Sequence, residues 1–197
     1  MKFFWCKNTR AFRIAWLLEE SGLDYERVNI DIRDEVARGN AAFRAASPMG
    51  KVPALADGTD GLWDSGAICI YLADQYPRAG LGPPVGHADR GRFLQWTLYT
   101  NSVIEPAMME KFSKAAPNSA SAGWGSFTLM LDTLRAGLGG GPWILGDKFS
   151  AADVLLGTSC HFMRKFGMRD QDAVLDAYVA RCMARPAWQR AESFDAS

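Results

Sequence analysis

The spacing of apolar residues changes twice within the first thirty positions, and that change restricts the chain to a small set of folds. Lys2-Phe3-Phe4-Trp5-Cys6 is short and aromatic-rich, as strands are. From Arg10 to Glu20 the pattern turns helical: Phe12, Ala15, Trp16 and Glu19 share one stripe, with Ala11, Ile14 and Leu18 beside it. Gly22 stands where such a helix stops. In Tyr25 to Ile30, Val28 and Ile30 alternate with polar neighbours, as in a half-buried strand. Strand, helix and strand in so short a span make a βαβ unit, which implies parallel strands joined by a right-handed crossover.

The next stretch completes a small domain. Asp34 to Ala46 reads as a weak helix broken by Gly39. Val52 to Ala56 and Gly61 to Trp63 read as two short strands, with Asp57-Gly58 and Asp60-Gly61 turn signals between them. Ser65 to Gln75 is a helix closed by Tyr76-Pro77. The order βαβ-α-ββα predicts a mixed sheet with helices on its faces, an α/β domain over residues 1–76. Residues 77–86 are rich in glycine and proline and read as a linker. Beyond them no strand signal recurs. Helical runs cover Asp89 to Phe112, Phe127 to Leu138, Ala151 to Arg164 and Asp172 to Ala184, with a last turn near Trp188. Lys114 to Ser121 is a polar break between the first two. Residues 87–197 are therefore expected to form an all-helical domain.

Composition excludes several classes of function. Of 197 residues, 22 are Lys or Arg and 22 are Asp or Glu, so no net charge attracts nucleic acid or an anionic membrane. The charge-free run Ala115 to Leu131 is interrupted by Pro117, Asn118 and several serines and glycines, which is unsuited to a membrane span. Lys7, Arg10 and Arg13 interrupt any secretory core at the N-terminus. Cys6, Cys69, Cys160 and Cys182 show neither CxxC nor zinc-ligand spacing, and His87 and His161 have no metal-ligand partner in view. Reduced thiols, a cytoplasmic setting and no metal are expected.

Two segments carry chemistry. In Ser47 to Leu55, Pro53 opens a strand, and a cis Val52-Pro53 bond would turn the Val52 N–H and C=O outward to pair with an extended peptide ligand. The alternative is a proline that merely stiffens a loop. In Trp63 to Ile68, Asp64 or Ser65 occupies a helix N-cap position. The same residues suit an α-amino-acid head group, the helix start and Ser65 facing a carboxylate and Asp64 an ammonium. Further on, Ser150 and Asp153 form a capping pair, with Phe149 and Val154 at the staple positions.

These segments, in this order behind a βαβ unit, closely resemble the glutathione S-transferase family. The resemblance is carried by Asn8 to Arg13 leading to Leu18 to Tyr25, by Ser47 to Leu55, by Asp64 to Ile68, and by Gly146 to Val154 in the helical part. It implies a thioredoxin-like domain followed by a helical bundle, assembled as a homodimer, with glutathione as co-substrate. By resemblance, Val52 pairs with the cysteinyl unit beside a cis Pro53, Asp64 and Ser65 hold the γ-glutamyl head, and Lys51 approaches the glycyl carboxylate. Lys51 also reads as a solvated surface charge. Cys6 falls where theta- and zeta-like members carry serine and omega-like members cysteine, while bacterial and fungal relatives place a hydroxyl where Thr9 stands. Cys6 alternatively reads as a small buried hydrophobe. Trp96, Tyr99, Met108, Met109 and Phe112 are candidate walls of a second-substrate pocket between the domains, or else core and dimer contacts. The implied activity is transfer of glutathione to a small hydrophobic electrophile. The alternatives are thiol transfer through Cys6 and a non-enzymatic ligand-binding or regulatory module.

Overall fold

The computed structural model describes residues 1–116 and 120–196, the last two of these by backbone alone. Four strands form one sheet in the order β2-β1-β3-β4. They are β1 (Lys2–Trp5), β2 (Glu26–Asn29), β3 (Ala54–Asp57) and β4 (Asp60–Trp63). β1 pairs parallel to β2 and antiparallel to β3, which pairs antiparallel to β4. This is the mixed sheet expected from the order of elements. Phe3 and Phe4 point to opposite faces of the central strand and both are buried. On one face Phe4 joins Ile30, Phe43, Ala46 and Ala54 in a cluster that Val28, Ile32, Val52 and Ala56 complete.

Helix α1 (Ala11–Ser21) ends at Gly22, whose φ of 66° is the left-handed conformation that glycine adopts without a Cβ penalty. The weak helix expected over 34–46 is two helices, α2 (Glu35–Arg38) and α3 (Ala41–Ala46). Gly39 ends the first, and the Asn40 carboxamide caps the second by accepting from Phe43 N. Helix α4 (Ser65–Gln75) has the expected bounds, and a short 3₁₀ turn at Pro77–Ala79 follows it.

The helical part contains α5 (Arg90–Tyr99), α6 (Glu105–Ser113), α7 (Phe127–Gly137), α8 (Ala151–Lys165) and α9 (Ala173–Met183). The single run expected over 89–112 is instead two helices joined by a π-helical stretch, Thr100–Ile104. Pro106 explains the break, because it lacks the N–H for the bond one turn back and its ring crowds that carbonyl. Pro117, Asn118 and Ser119, within the expected polar break, lie outside the described residues. At the start of α8, Ser150 and Asp153 form the reciprocal capping box that their spacing predicts. The Asp153 carboxylate is fully buried and accepts from Ser150 N (2.9 Å), Ser150 Oγ (3.1 Å), Ile144 N (2.8 Å) and the Tyr178 hydroxyl (2.9 Å). Burial pushes this carboxyl above the usual carboxylate range, and the four donors oppose that shift. Phe149 packs edge-on against Trp143, with ring centroids 5.0 Å apart.

The last helix, α10 (Pro186–Ala196), departs most from expectation. Sequence pattern assigns only a turn there and groups it with the helical domain. In the structure Trp188 lies edge-on to Phe12 and Trp16 of α1, at 4.9 and 4.7 Å. Arg185 donates two hydrogen bonds to Glu20, and Arg190 pairs with Glu19. The guanidinium of Arg27 on β2 lies 4.0 Å from the Phe194 ring centroid. Residues 1–81 and the segment from Arg185 onward therefore form one compact unit, and Gly82–Ala184 forms the other. Burial of eight consecutive α1 residues, Ala11 through Leu18, follows from this cover. Such aromatic pairs add roughly 0.5–1.5 kcal/mol each beyond the area they bury.

Candidate functional site

Within the first unit, three short segments hold the candidate residues. The first is the loop from Ser47 to Pro53. Ser47 is fully buried, and its hydroxyl ties the loop by donating to the Lys51 carbonyl (2.9 Å) and accepting from Lys51 N (3.1 Å). Gly50 turns the chain at a φ of 62°, beside the Arg44 guanidinium. The Val52-Pro53 bond is cis. Val52 is half-buried against the sheet cluster, and Lys51 is exposed. β3 begins at Ala54, so both Val52 and Pro53 precede the strand that sequence pattern starts at Val52.

The second segment is the corner between β4 and α4. Asp64, not Ser65, is the cap: its Oδ1 accepts from Gly66 N (2.9 Å) and Ala67 N (3.2 Å). Ser65 is buried at the first helical position. Asp64 holds a φ of 78° with ψ at 122°, a backbone state L-residues rarely adopt. Strain of this kind costs about 1–3 kcal/mol and collects at ligand clamps. The carboxylate lies at the positive end of the α4 dipole and remains exposed to solvent.

The third is the turn between β1 and α1. Cys6 follows β1 and is buried, with 3% of its surface accessible. Asn8 takes a left-handed φ of 57°. Thr9 Oγ1 donates to the Cys6 carbonyl at 2.6 Å and accepts from Ala11 N at 3.1 Å, so the hydroxyl closes the turn and its proton is already engaged. Sequence reasoning overlooked Arg33. Its Nη1 lies 3.7 Å from Cys6 Sγ, and its backbone N–H donates to Asp31 Oδ1 at 3.0 Å. Pairing could have revealed it: Trp5 opposes Asn29 in a parallel ladder, so the residues after β2 run beside those after β1.

The second-substrate candidates all fall in the unit Gly82–Ala184. Tyr99 is 6% exposed, and its hydroxyl donates to the Met130 carbonyl at 2.9 Å. Trp96 packs against the Tyr99 ring, with centroids 5.1 Å apart. Met108 is half-buried on α6, while Met109 and Phe112 are exposed. Burial disfavours the thiolate at Cys69 and Cys160, pushing the Cys160 thiol up to about 12 and Cys69 also upward. All four cysteines are buried thiols, none of them in a disulfide. Among the described residues, no cluster of three His, Cys, Asp or Glu could hold a metal, and no helix is long and apolar enough to cross a membrane.

An α/β unit with helices on both faces of its sheet, bearing a cis-proline loop and a capped acidic corner, together with a unit made of helices, defines a class. Comparison with known proteins places the chain within it. Residues 9–75 match the N-terminal domain of glutathione S-transferases, and residues 117–189 match their C-terminal domain. A sphingomonad glutathione S-transferase solved in complex with glutathione superposes with a TM-score of 0.82 at 30% identity, covering 100% of this chain and 99% of that one. The glutathione S-transferase GstA of Escherichia coli O157:H7 is 27% identical over 98% of both chains. The disulfide-bond oxidoreductase YfcG of Escherichia coli K12 is 27% identical over 77% of this chain and 74% of its own. The chain belongs to the glutathione S-transferase family, with a thioredoxin-like unit and a helical unit.

Proposed function

We propose that this protein binds glutathione in its thioredoxin-like unit and directs the thiolate to a small hydrophobic electrophile. The observation that carries the reading is the Asp64 corner, where a strained, solvent-facing carboxylate is held at a helix start beside a buried serine. Structural capping alone does not require that strain. In this reading Asp64 takes the ammonium of the γ-glutamyl head and Ser65 its carboxylate. Val52 pairs its backbone with the cysteinyl unit ahead of Pro53, and Lys51 meets the glycyl carboxylate. Thr9 donates a hydrogen bond to the thiolate in exchange for its bond to the Cys6 carbonyl, an exchange that costs about 1 kcal/mol. Trp96, Met108 and Phe112 are offered to the electrophile. The working form is a cytoplasmic homodimer, and sedimentation as a monomer at micromolar concentration would count against that part.

The thiolate must be stabilised at neutral pH, since a free thiol near 8.5 is mostly protonated. Lowering it by about two units takes roughly 2.7 kcal/mol. A hydrogen bond to the anion and the start of α1 are together of that size.

A second reading is favoured by the guanidinium against Cys6 Sγ. Here the Cys6 thiolate attacks a glutathione mixed disulfide, taking the glutathionyl sulfur and releasing the other thiol as its anion. A second glutathione thiolate then attacks Cys6–SSG, which forms oxidised glutathione and returns the Cys6 thiolate. Turnover of aryl halides and of mixed disulfides by Cys6→Ala and Thr9→Ala separates the readings. Conjugation is expected to survive in Cys6→Ala and fall in Thr9→Ala. Loss of conjugation in Cys6→Ala with Thr9→Ala unaffected overturns the Thr9 assignment. Mixed-disulfide turnover that Cys6→Ala abolishes, without conjugation in the unaltered chain, moves the reaction to thiol transfer. Saturable glutathione binding with no turnover of either substrate leaves a binding module.

A further inference from the structure

We propose that Arg33 is a catalytic residue of this site, supplying the positive charge that holds the glutathione thiolate at the β1–α1 turn. The inference rests on the glutathione reading and adds to it a sulfur contact that no motif marks. Three observations carry it. The Arg33 guanidinium reaches the sulfur at the end of β1, with Nη1 3.7 Å from Cys6 Sγ. The Thr9 hydroxyl donates to the Cys6 carbonyl at 2.6 Å, so it reaches the sulfur only by exchanging that bond and leaves room for a second, charged donor. The Arg33 side chain is 67% exposed while Cys6 is 3% exposed, so the cation forms the outer wall of the turn and the cysteine its floor.

The chemistry favours the anion specifically. A neutral thiol sulfur is a weak acceptor, whereas a thiolate gains a charge-assisted hydrogen bond from an ionised donor. A guanidinium brings a positive charge along with its donor N–H groups, which the hydroxyl of a threonine does not. The base of the side chain is fixed by the Asp31–Arg33 turn, in which Arg33 N–H donates to the Asp31 carboxylate. Besides its contact with Cys6 Sγ, the guanidinium's ion pair among the described residues is the 3.8 Å one to exposed Asp31, a weak tie that leaves it able to follow an incoming sulfur.

Arg33→Gln and Arg33→Lys, compared with the unaltered chain, test the proposal through three readouts. The first is affinity for S-methylglutathione, which keeps the peptide but has no ionisable thiol. The second is ultraviolet thiolate absorbance, taken as the difference between the glutathione and S-methylglutathione complexes. The third is kcat/KM with 1-chloro-2,4-dinitrobenzene. For Arg33→Gln the thiolate signal and kcat/KM are expected to fall about tenfold or more, S-methylglutathione affinity to stay within about twofold, and Arg33→Lys to recover most of the loss. An unchanged thiolate signal overturns the proposal. So does a loss of S-methylglutathione affinity that matches the loss of rate, because Arg33 would then anchor the peptide or the fold. If the unaltered chain does not bind S-methylglutathione at all, the glutathione reading itself fails and this proposal falls with it.

Discussion

Two helix starts in this molecule use the same device and arrive at different ends. At α4 the Asp64 carboxylate caps two backbone N–H groups from an exposed position, on a backbone strained to a φ of 78°. At α8 the Asp153 carboxylate is fully buried, Ser150 takes ordinary extended angles, and four donors converge on the acid. Both are aspartates beside a serine at a helix start. Burial separates them. A carboxylate taken out of water must be saturated by its own protein, which makes it a structural fastener. One left in water can still receive a cation, and strain is tolerated where it fixes that geometry.

The contrast is most severely tested at α8. Asp153→Ala leaves Ile144 N–H, Ser150 N–H and the Tyr178 hydroxyl buried without this acceptor, at roughly 1–3 kcal/mol each before relaxation. Denaturant unfolding is expected to show a loss of about 3–5 kcal/mol. A loss below about 1 kcal/mol would place the acid among ordinary surface caps. Tyr178→Phe removes one charge-assisted bond and is expected to cost about 1.5 kcal/mol in the same measurement. At α4 the expected effect nearly vanishes. Asp64→Gly loses a cap worth a few tenths of a kcal/mol relative to glycine but releases the backbone strain, so the melting temperature should hold or rise. A clear fall would show that Asp64 is a folding residue after all.

How much of this was legible in the sequence follows the same division. Local chemistry reads well: the βαβ order, the Gly22 stop, the Ser150–Asp153 box and the acidic cap before α4 each depend on residues within a turn of one another. Partners brought in from afar do not. Tyr178 joins Asp153 across 25 positions and Arg33 joins Cys6 across 27, and neither spacing has a period to recognise. The segment near Trp188 reads as a last turn because its apolar stripe is short, and only its distant partners, Phe12 for Trp188 and Trp5 for Phe194, explain the helix. The Thr9 hydroxyl shows a further limit. Its residue type suits a sulfur donor, but which acceptor takes the single proton is decided by the turn it closes.

The most direct test of the site is a calorimetric titration of glutathione into the unaltered chain and into Asp64→Asn. Asparagine caps a helix as well as aspartate does, so this change removes the charge and keeps the fold. At about 0.3 kcal/mol per atom over the roughly 20 non-hydrogen atoms of glutathione, the unaltered chain is expected to bind with a Kd of tens of micromolar. Asp64→Asn is expected to weaken this by about 1.5–3 kcal/mol, ten- to a hundredfold, with an unchanged melting temperature. No binding at millimolar glutathione, or equal affinity in the two proteins, would contradict the assignment of this corner to the γ-glutamyl head.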